Sequence, residues 1–257
     1  MNYREYPDGP LLAYDTGAGM NQLDEVVQTR NYYSANVYAN YDETFGEAHH
    51  VSATAGFNYE TWSSKNVSVA GINLSSINLD DLNLATGSPT EGAYGGGQNE
   101  YALMGFFGRL NYDYKGKYLV EVSGRYDGTS RFKRGQRWGF FPSFSLGWRV
   151  SEEAFFDGIR DQFNNLKLRF SYGQLGNQNV GYYDYIRKIS IGSQNYLFGG
   201  DKPTTATISA PVASDLSWER SIHKNLGVDM SFLNNRLAFS ADFYIRDTKD
   251  MLTAGIA

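Results

Sequence analysis

The chain has 257 residues, enough for one large or two ordinary domains, and carries a net charge of -5 with no cysteine. These values exclude a disulfide framework and a thiolate metal site, and they argue against nucleic acid as the main partner. With only three histidines (His49, His50 and His223), a histidine zinc site is not expected either.

Residues Met1 to Thr29 show no hydrophobic periodicity, carry Pro7, Gly9, Pro10, Gly17 and Gly19, and read as loop. They lack the basic segment and apolar core of a signal peptide. A first strand is expected over Tyr32 to Tyr41, with Tyr33, Ala35, Val37, Ala39 and Tyr41 opposite Ser34, Asn36 and Asn40. After a turn at Thr44 to Glu47, a second strand runs from His49 to Thr61. Val51, Ala53, Ala55, Phe57 and Tyr59 share one face, and His50, Ser52, Thr54, Asn58 and Glu60 share the other. Its length matches the roughly 9–11 tilted residues that cross a bilayer as β-structure. Ser63 to Glu100 reads as a long polar connection.

Strand three spans Tyr101 to Tyr114, with Met104, Phe106, Leu110, Tyr112 and Tyr114 opposite Phe107, Arg109, Asn111 and Asp113. A tight turn at Lys115-Gly116 leads to strand four, where Tyr118, Val120, Val122 and Tyr126 oppose Glu121, Ser123, Arg125 and Asp127. Gly128 to Arg137 is a basic loop. Strand five places Trp138, Phe140, Phe144, Leu146, Trp148 and Val150 opposite Ser143, Ser145, Arg149 and Ser151. Pro142 within it predicts a bulge or locally open pairing, because proline donates no ladder bond.

A short helix is expected within Glu152 to Asn164. Strand six carries Leu166, Leu168, Phe170 and Tyr172 opposite Lys167, Arg169 and Ser171. A second long connection, with a hairpin of its own, fills Gly176 to Ser217. Strand seven sets Ile222, Leu226, Val228, Met230 and Phe232 against His223, Asn225, Asp229 and Ser231. Asn234-Asn235 forms a hairpin turn, and strand eight sets Leu237, Phe239, Ala241, Phe243 and Ile245 against Ser240, Asp242 and Arg246.

Connections after strands one, three and seven are short, that after five is short to moderate, and those after two, four and six are longer. Outer-membrane barrels alternate short periplasmic turns with long extracellular loops in this way. No apolar run approaches the roughly 18 residues of a membrane helix. The mean hydropathy of -0.47 suits a barrel in which every second residue faces a wet lumen. The fold class is therefore all-β, an antiparallel transmembrane β-barrel segment of about eight strands.

Arg or Lys facing lipid at the midplane costs about 2–4 kcal/mol. Arg109, Glu121, Arg125, Arg149, Arg169, Asp229 and Asp242 are thus assigned to the lumen. Val51, Phe57, Phe106, Val120, Phe144, Leu168, Phe170, Phe239 and Phe243 are assigned to lipid, with Tyr112, Tyr114, Tyr118 and Trp148 in the lipid-facing set at or near an interfacial girdle. Aromatic residues make up 16% of the chain, rich enough to furnish such girdles.

Other candidates are weaker. Arg131, Lys133, Arg134 and Arg137 are a basic loop that binds an anion or, more ordinarily, is solvated. Gly92 to Gly97 lacks the Lys and Ser/Thr of a phosphate-binding loop. Asp80-Asp81 lacks the alternating ligands of a calcium loop. His49 and His50 suit a solvated strand end. No triad or carboxylate pair is spaced for catalysis, and no cofactor or metal is expected.

The run GFFGRLNYDYKGKYLVEVSGRYDGTSRFKRGQRWGFFPSFSLGWRVSEEAFF resembles the SusC/RagA-type TonB-dependent outer-membrane transporters. LKLRFSYGQLGNQ, LSWERSIHKNLGVDMSFLNNRLAFSADFYIRDTKDML and GFNYE are similar to other parts of the same barrel, so the resemblance runs from about Asn31 to Leu252. It implies a 22-stranded barrel with an N-terminal plug, energised import of oligosaccharides or peptides, a SusD-like surface lipoprotein as partner, and drive from the TonB complex. The chain departs from that pattern: residues 1–257 read as barrel alone, without plug, TonB-box segment or signal peptide, and Thr253 to Ala257 do not form the aromatic-ended terminal strand. It reads as an interior piece of the barrel in the outer membrane of a Gram-negative bacterium. The alternatives are a stand-alone eight-stranded structural or adhesive barrel, or a truncated product without function.

Overall fold

The computed structural model describes residues 2–4, 11–15, 22–76, 78–87, 94–160, 163–193, 204–208 and 216–252. In chain order its strands are β1 (Asn2–Arg4), β2 (Leu11–Asp15), β3 (Gln22–Phe45), β4 (His49–Ile72), β5 (Tyr94–Tyr114) and β6 (Tyr118–Thr129). They continue as β7 (Trp138–Arg149), β8 (Phe163–Asn177), β9 (Ile189–Ser193), β10 (Thr204–Ile208), β11 (Glu219–Phe232) and β12 (Leu237–Lys249). The hydrogen-bonded order is β1-β2-β3-β4-β5-β6-β7-β8-β11-β12, with β9 and β10 as a separate hairpin. Helical structure among the described residues is confined to 3-10 segments at Leu82–Leu84, Val150–Glu152 and Ala154–Ile159.

The eight expected strands are all present, as β3 to β8, β11 and β12. Three expectations need correction. Part of the stretch read as loop, Met1 to Thr29, is strand: β1 pairs with β2, and β2 with a β3 that already begins at Gln22. The second strand does not stop at Thr61 but reaches Ile72. The long connection expected from Ser63 to Glu100 shrinks accordingly, because β5 starts at Tyr94 and takes Gly95 to Gly97 into the sheet. β3 and β4 have 24 residues each and β5 has 21, about twice what crosses a bilayer. Their surplus lies at the end opposite the short turns. The expected helix after β7 is the pair of 3-10 segments. Gly92 and the Thr253 to Ala257 tail lie outside the described residues.

The chain forms two compact units, Met1–Tyr33 with Glu60–Tyr101, and Ser34–Tyr59 with Ala102–Ala257. In the first, Leu23 is buried and the Trp62 and Tyr101 rings stack 5.7 Å apart. The connection after β4 folds back on its own strand. Ser75 N–H donates to the Leu84 carbonyl, Thr86 N–H to Asn73, and Gly87 N–H to Ile72. The Asp81 carboxylate accepts from Asn83 N–H at 2.9 Å and so caps the Leu82–Leu84 turn.

In the second unit the short connections are tight. Lys115 and Gly116, in the three-residue connection between β5 and β6, both take positive φ, and Asp113 accepts from Gly116 N–H at 2.5 Å. The Asn234-Asn235 turn also takes positive φ, and Leu233 joins it. Pro142 pairs in register with Gly124 of β6, so there is no bulge on that side. On the other side the β7–β8 ladder begins only at Ser143↔Gly173, leaving the pairing open beside the proline.

The opening is filled from the basic loop. Phe132 is fully buried against Phe141 and Trp218, with Leu103, Val180 and Leu216 around them. The Trp218 ring meets Phe132 at 5.6 Å and Phe141 at 5.2 Å, both edge-on, and its indole N–H donates to the Arg137 carbonyl. This small core joins the β6–β7 loop to the end of the β8–β11 connection. Truncation of Phe132 to alanine is expected to cost about 3–5 kcal/mol of local stability. Limited proteolysis should then cut residues 130–137 at once, while heat-modifiable gel mobility stays unchanged.

Candidate functional site

The registers carry the argument from backbone to chemistry. Tyr112 pairs with Val120, Val120 with Leu146, Leu146 with Phe170, Phe170 with Leu226, and Leu226 with Phe243. One position along, Asn111 pairs with Glu121, then Ser145, Ser171, Asn225 and Tyr244 follow in turn. Side-chain direction alternates along a strand, so a register that does not slip keeps the two rows on opposite faces. β4 falls in with both: the Phe57 and Phe106 rings lie 5.1 Å apart on the apolar face, and Asn111 donates to Ser52 on the polar one. Val51, Phe144, Trp148, Leu168 and Phe239 have the apolar parity of their strands.

All seven charged residues singled out from the sequence have the polar parity, and each is ion-paired. Arg109 and Glu121 approach to 4.0 Å across β5 and β6. Arg125 pairs with Asp127 at 2.9 Å and lies 5.4 Å over the Phe107 ring. Arg149 sits at the end of β7, where it pairs with Glu152 at 3.1 Å and donates to the Gly116 carbonyl. Arg169 on β8 has the densest set. It forks onto Asp229 of β11 at 2.7 and 3.0 Å, and also reaches Asp242 of β12 at 3.2 Å. Ser240 donates to Asp229 from below.

Arg169 gets across β11 because Gly227 stands in its path. A Cβ there would lie 2.8 Å from the guanidinium carbon and 2.6 Å from the Asp242 carboxylate. The opposing charges thus neutralise one another along the polar face. Beside Arg169 lies a groove of about 550 Å³, lined among others by Ser52, Asn111, Glu121, Ser145, Ser171 and Asn225. The Asn225 side-chain carbonyl is buried there without a hydrogen-bond partner. Such a surface offers hydroxyl and amide groups to water or a polar ligand.

At the short-turn end the apolar face is rimmed by aromatic residues. His49 Nδ1 and the Tyr112 hydroxyl are 2.7 Å apart, the His49 ring lies 4.9 Å from that of Tyr114, and Tyr114 stacks on Tyr118 at 6.3 Å. Tyr118 opposes Trp148 in register. Both donate to one oxygen of Glu153, at 2.5 and 3.2 Å, and Lys117 donates to the other at 3.4 Å. These donors, the tyrosine hydroxyl first and the Trp148 indole next, hold the Glu153 carboxyl below the usual carboxylate range. Sequence reasoning missed Glu153; its only signal was a carboxylate five residues beyond a tryptophan at a strand end.

The weaker candidates separate. Arg137 donates to the Phe132 carbonyl at 3.0 Å and Arg131 to that of Val180 at 2.9 Å, so both hold the loop together; Lys133 and Arg134 are exposed. His50 pairs with Asp42 at 3.2 Å. Phe141 and Trp218 were not singled out as a core. The signal for Phe141 was an aromatic at a polar-parity position of β7, whereas Trp218 lies just before β11 and had none.

The whole chain, residues 1–257, matches the model of the family described as TonB dependent receptor-like, beta-barrel. The chain belongs to this family. It is 31% identical over 95% of its length to TonB-dependent receptor P26 of Formosa agariphila, and covers 24% of that protein. It is 38% identical over 59% of its length to TonB-dependent receptor SusC of Bacteroides thetaiotaomicron, and covers 15% of it. A solved structure of the RagAB peptide transporter superposes with a TM-score of 0.78 at 27% identity, over 91% of this chain and 25% of that one. The chain thus spans about a quarter or less of the length of the relatives it matches. The family is one of transport receptors, not enzymes.

Arg169→Met leaves Asp229 and Asp242 facing each other without a cation. Both members of the main pair are about one third exposed, so the expected loss is about 1–2 kcal/mol, less than for a fully buried pair. Arg169→Lys, which keeps the charge but not the fork, should lose roughly half of that. Urea unfolding midpoints of the receptor in detergent measure both.

Because Glu153 is held ionised in the folded chain, its contribution is fully present above the ordinary carboxylate range. It is lost only as pH falls through the lower folded value. Trp148 emission, taken as the difference between wild type and Glu153→Gln, should stay constant through the ordinary carboxylate range. It should collapse in stronger acid, and a collapse near the usual glutamate value would contradict the assignment.

Proposed function

We propose that this chain is part of the wall of a TonB-dependent outer-membrane receptor that imports oligosaccharides or peptides together with a SusD-like surface lipoprotein. The observation that carries the reading is the register from β5 to β12, unslipped until Ser231 at the far end of β11, which sorts apolar and charged residues onto opposite faces. With the apolar face toward lipid, Val51, Phe57, Phe106, Val120, Phe144, Leu168, Phe170, Phe239 and Phe243 lie in hydrocarbon, and Tyr112, Tyr114, Tyr118 and Trp148 at its edge. With the polar face toward the lumen, the ion pairs of Arg109, Arg125, Arg149 and Arg169 sit in a wet or plugged interior at little cost.

The chain then contributes eight membrane strands of a barrel of about 22, the size at which a lumen is wide enough to hold a plug. The long connections face the cell exterior and the tight turns face the periplasm. Coupling to the TonB complex belongs to the plug, and so to parts of the receptor other than this wall. The similarity to the RagAB peptide transporter supports peptides as the substrate class, and oligosaccharides are the other class that the resemblance to SusC/RagA-type transporters implies.

Deletion of the parent gene tests the proposal. The receptor is expected in the outer-membrane fraction, and its loss should abolish growth on one polymeric nutrient while growth on the corresponding monomer persists. Growth lost on an oligopeptide or on a glycan distinguishes the two classes. Recovery of the receptor in the cytoplasm would overturn the reading.

A further inference from the structure

The connection between β7 and β8 does more than turn the chain. Ala154–Ile159 lies outside every strand, and its residues divide sharply. Phe156 is buried, edge-on to Phe163 at 6.3 Å, and Phe163 in turn lies 4.8 Å from Phe232. Phe155 is 71% exposed and Ile159 44%.

Two independent contacts fix which side of the sheet this segment occupies. The first is Glu153, immediately before it, whose carboxylate takes the Tyr118 hydroxyl and the Trp148 indole, both of apolar parity. The second is a register shift. Ser231 pairs with Asn165 but Phe232 with Phe163, so Asn164 is passed over. One extra residue in a strand re-aims the next side chain. Phe163, which by simple alternation belongs with Lys167 and Arg169, is turned onto the face of Phe232. The bulge is held in place, since Asn164 accepts from Asn235 N–H at 3.2 Å. The segment is therefore pinned at both ends to the apolar face, and Phe155 and Ile159 extend that face past the last residues of the strands.

The charges nearby suit the same surroundings. Lys115 lies 5.4 Å over the Tyr114 ring, Lys117 reaches Glu153, and Arg160 pairs with Asp157 at 3.2 Å. Aromatic and aliphatic residues beside cations on flexible stems are the composition of a segment lying at a membrane interface, where anionic headgroups meet the cations and acyl chains meet the rings. Single exposed apolar residues need no explanation, but an apolar extension continuous with a membrane face does.

We propose that residues 154–159 are an interfacial foot: Phe155 and Ile159 insert at the headgroup–acyl boundary of the leaflet on the short-turn side, and Glu153 and Phe156 tie the foot to the wall. This rests on the reading that the apolar face meets lipid. The full-length receptor, reconstituted in phosphatidylethanolamine–phosphatidylglycerol vesicles without other protein, tests it by nitroxide labels at Phe155→Cys, Asp157→Cys and Val122→Cys. Ile159→Cys replaces the first label if that variant does not fold. Collision rates with oxygen and with a water-soluble nickel chelate report the surroundings of each label. The expected oxygen-to-nickel ratio is highest at 122 in the middle of β6, several-fold higher at 155 than at 157, and lowest at 157. A label at 155 as accessible to nickel as that at 157, with 122 still in lipid, overturns the foot and leaves the barrel wall standing. All three labels in water overturn both.

Discussion

A peptide group inside hydrocarbon has no water to bond, so a β-strand can cross a membrane only if its neighbours satisfy its whole backbone. The antiparallel ladder is the constraint from which the rest of this chain follows. A shift of a single residue between β6 and β7 would move Glu121 and Arg125 to the face of Val120 and Val122. The described registers make no such slip between β5 and β11 until Ser231, at the far end of β11. Separation of apolar from charged side chains is thus a property of the pairing, not of any one strand.

Departures from the ladder occur at strand ends, and each has a side-chain arrangement that answers it. Beside Pro142 the β7–β8 pairing lapses, and Phe132, Phe141 and Trp218 close the gap. At the opposite end the bulge at Asn164 brings Phe163 to Phe232, and Glu153 gathers the polar tips of Tyr118, Trp148 and Lys117. A backbone group freed near a strand end reaches water or a loop, whereas one freed at mid-strand would have neither. The polar face shows a comparable economy. Small residues stand where long ones must pass, Gly227 being the clearest case, and Arg169 serves two carboxylates on two strands. A face whose charges are mutually paired presents hydrogen-bonding groups without a strong field of one sign.

The eight strands, their two faces, and the turns at Lys115-Gly116 and Asn234-Asn235 were legible because each rests on local alternation or local φ. The missed parts of β3 and β4 show where that signal fails. Beyond Thr61, β4 reads Trp62, Ser63, Ser64, Lys65, Asn66, with polar residues at both parities. Backbone pairing continues there, but alternation exists only where one face must be apolar. The short β1 and β2, spread among prolines and glycines, escaped for the same reason.

The amino-acid sequence by itself determined that this is membrane β-structure, because lipid on one side and water on the other write a period of two into every crossing strand. Only the tertiary structure decided which charges meet. Arg169 and Asp242 are 73 positions apart, and nothing in the spacing of either points to the other across a glycine on the strand between them. It also decided that Arg131 and Arg137 hold a loop together, and that Phe156 and Glu153 dock a connection against the sheet. Those outcomes depend on which strands become neighbours and in what register. That is a long-range property, which the local periodicity of the chain does not encode.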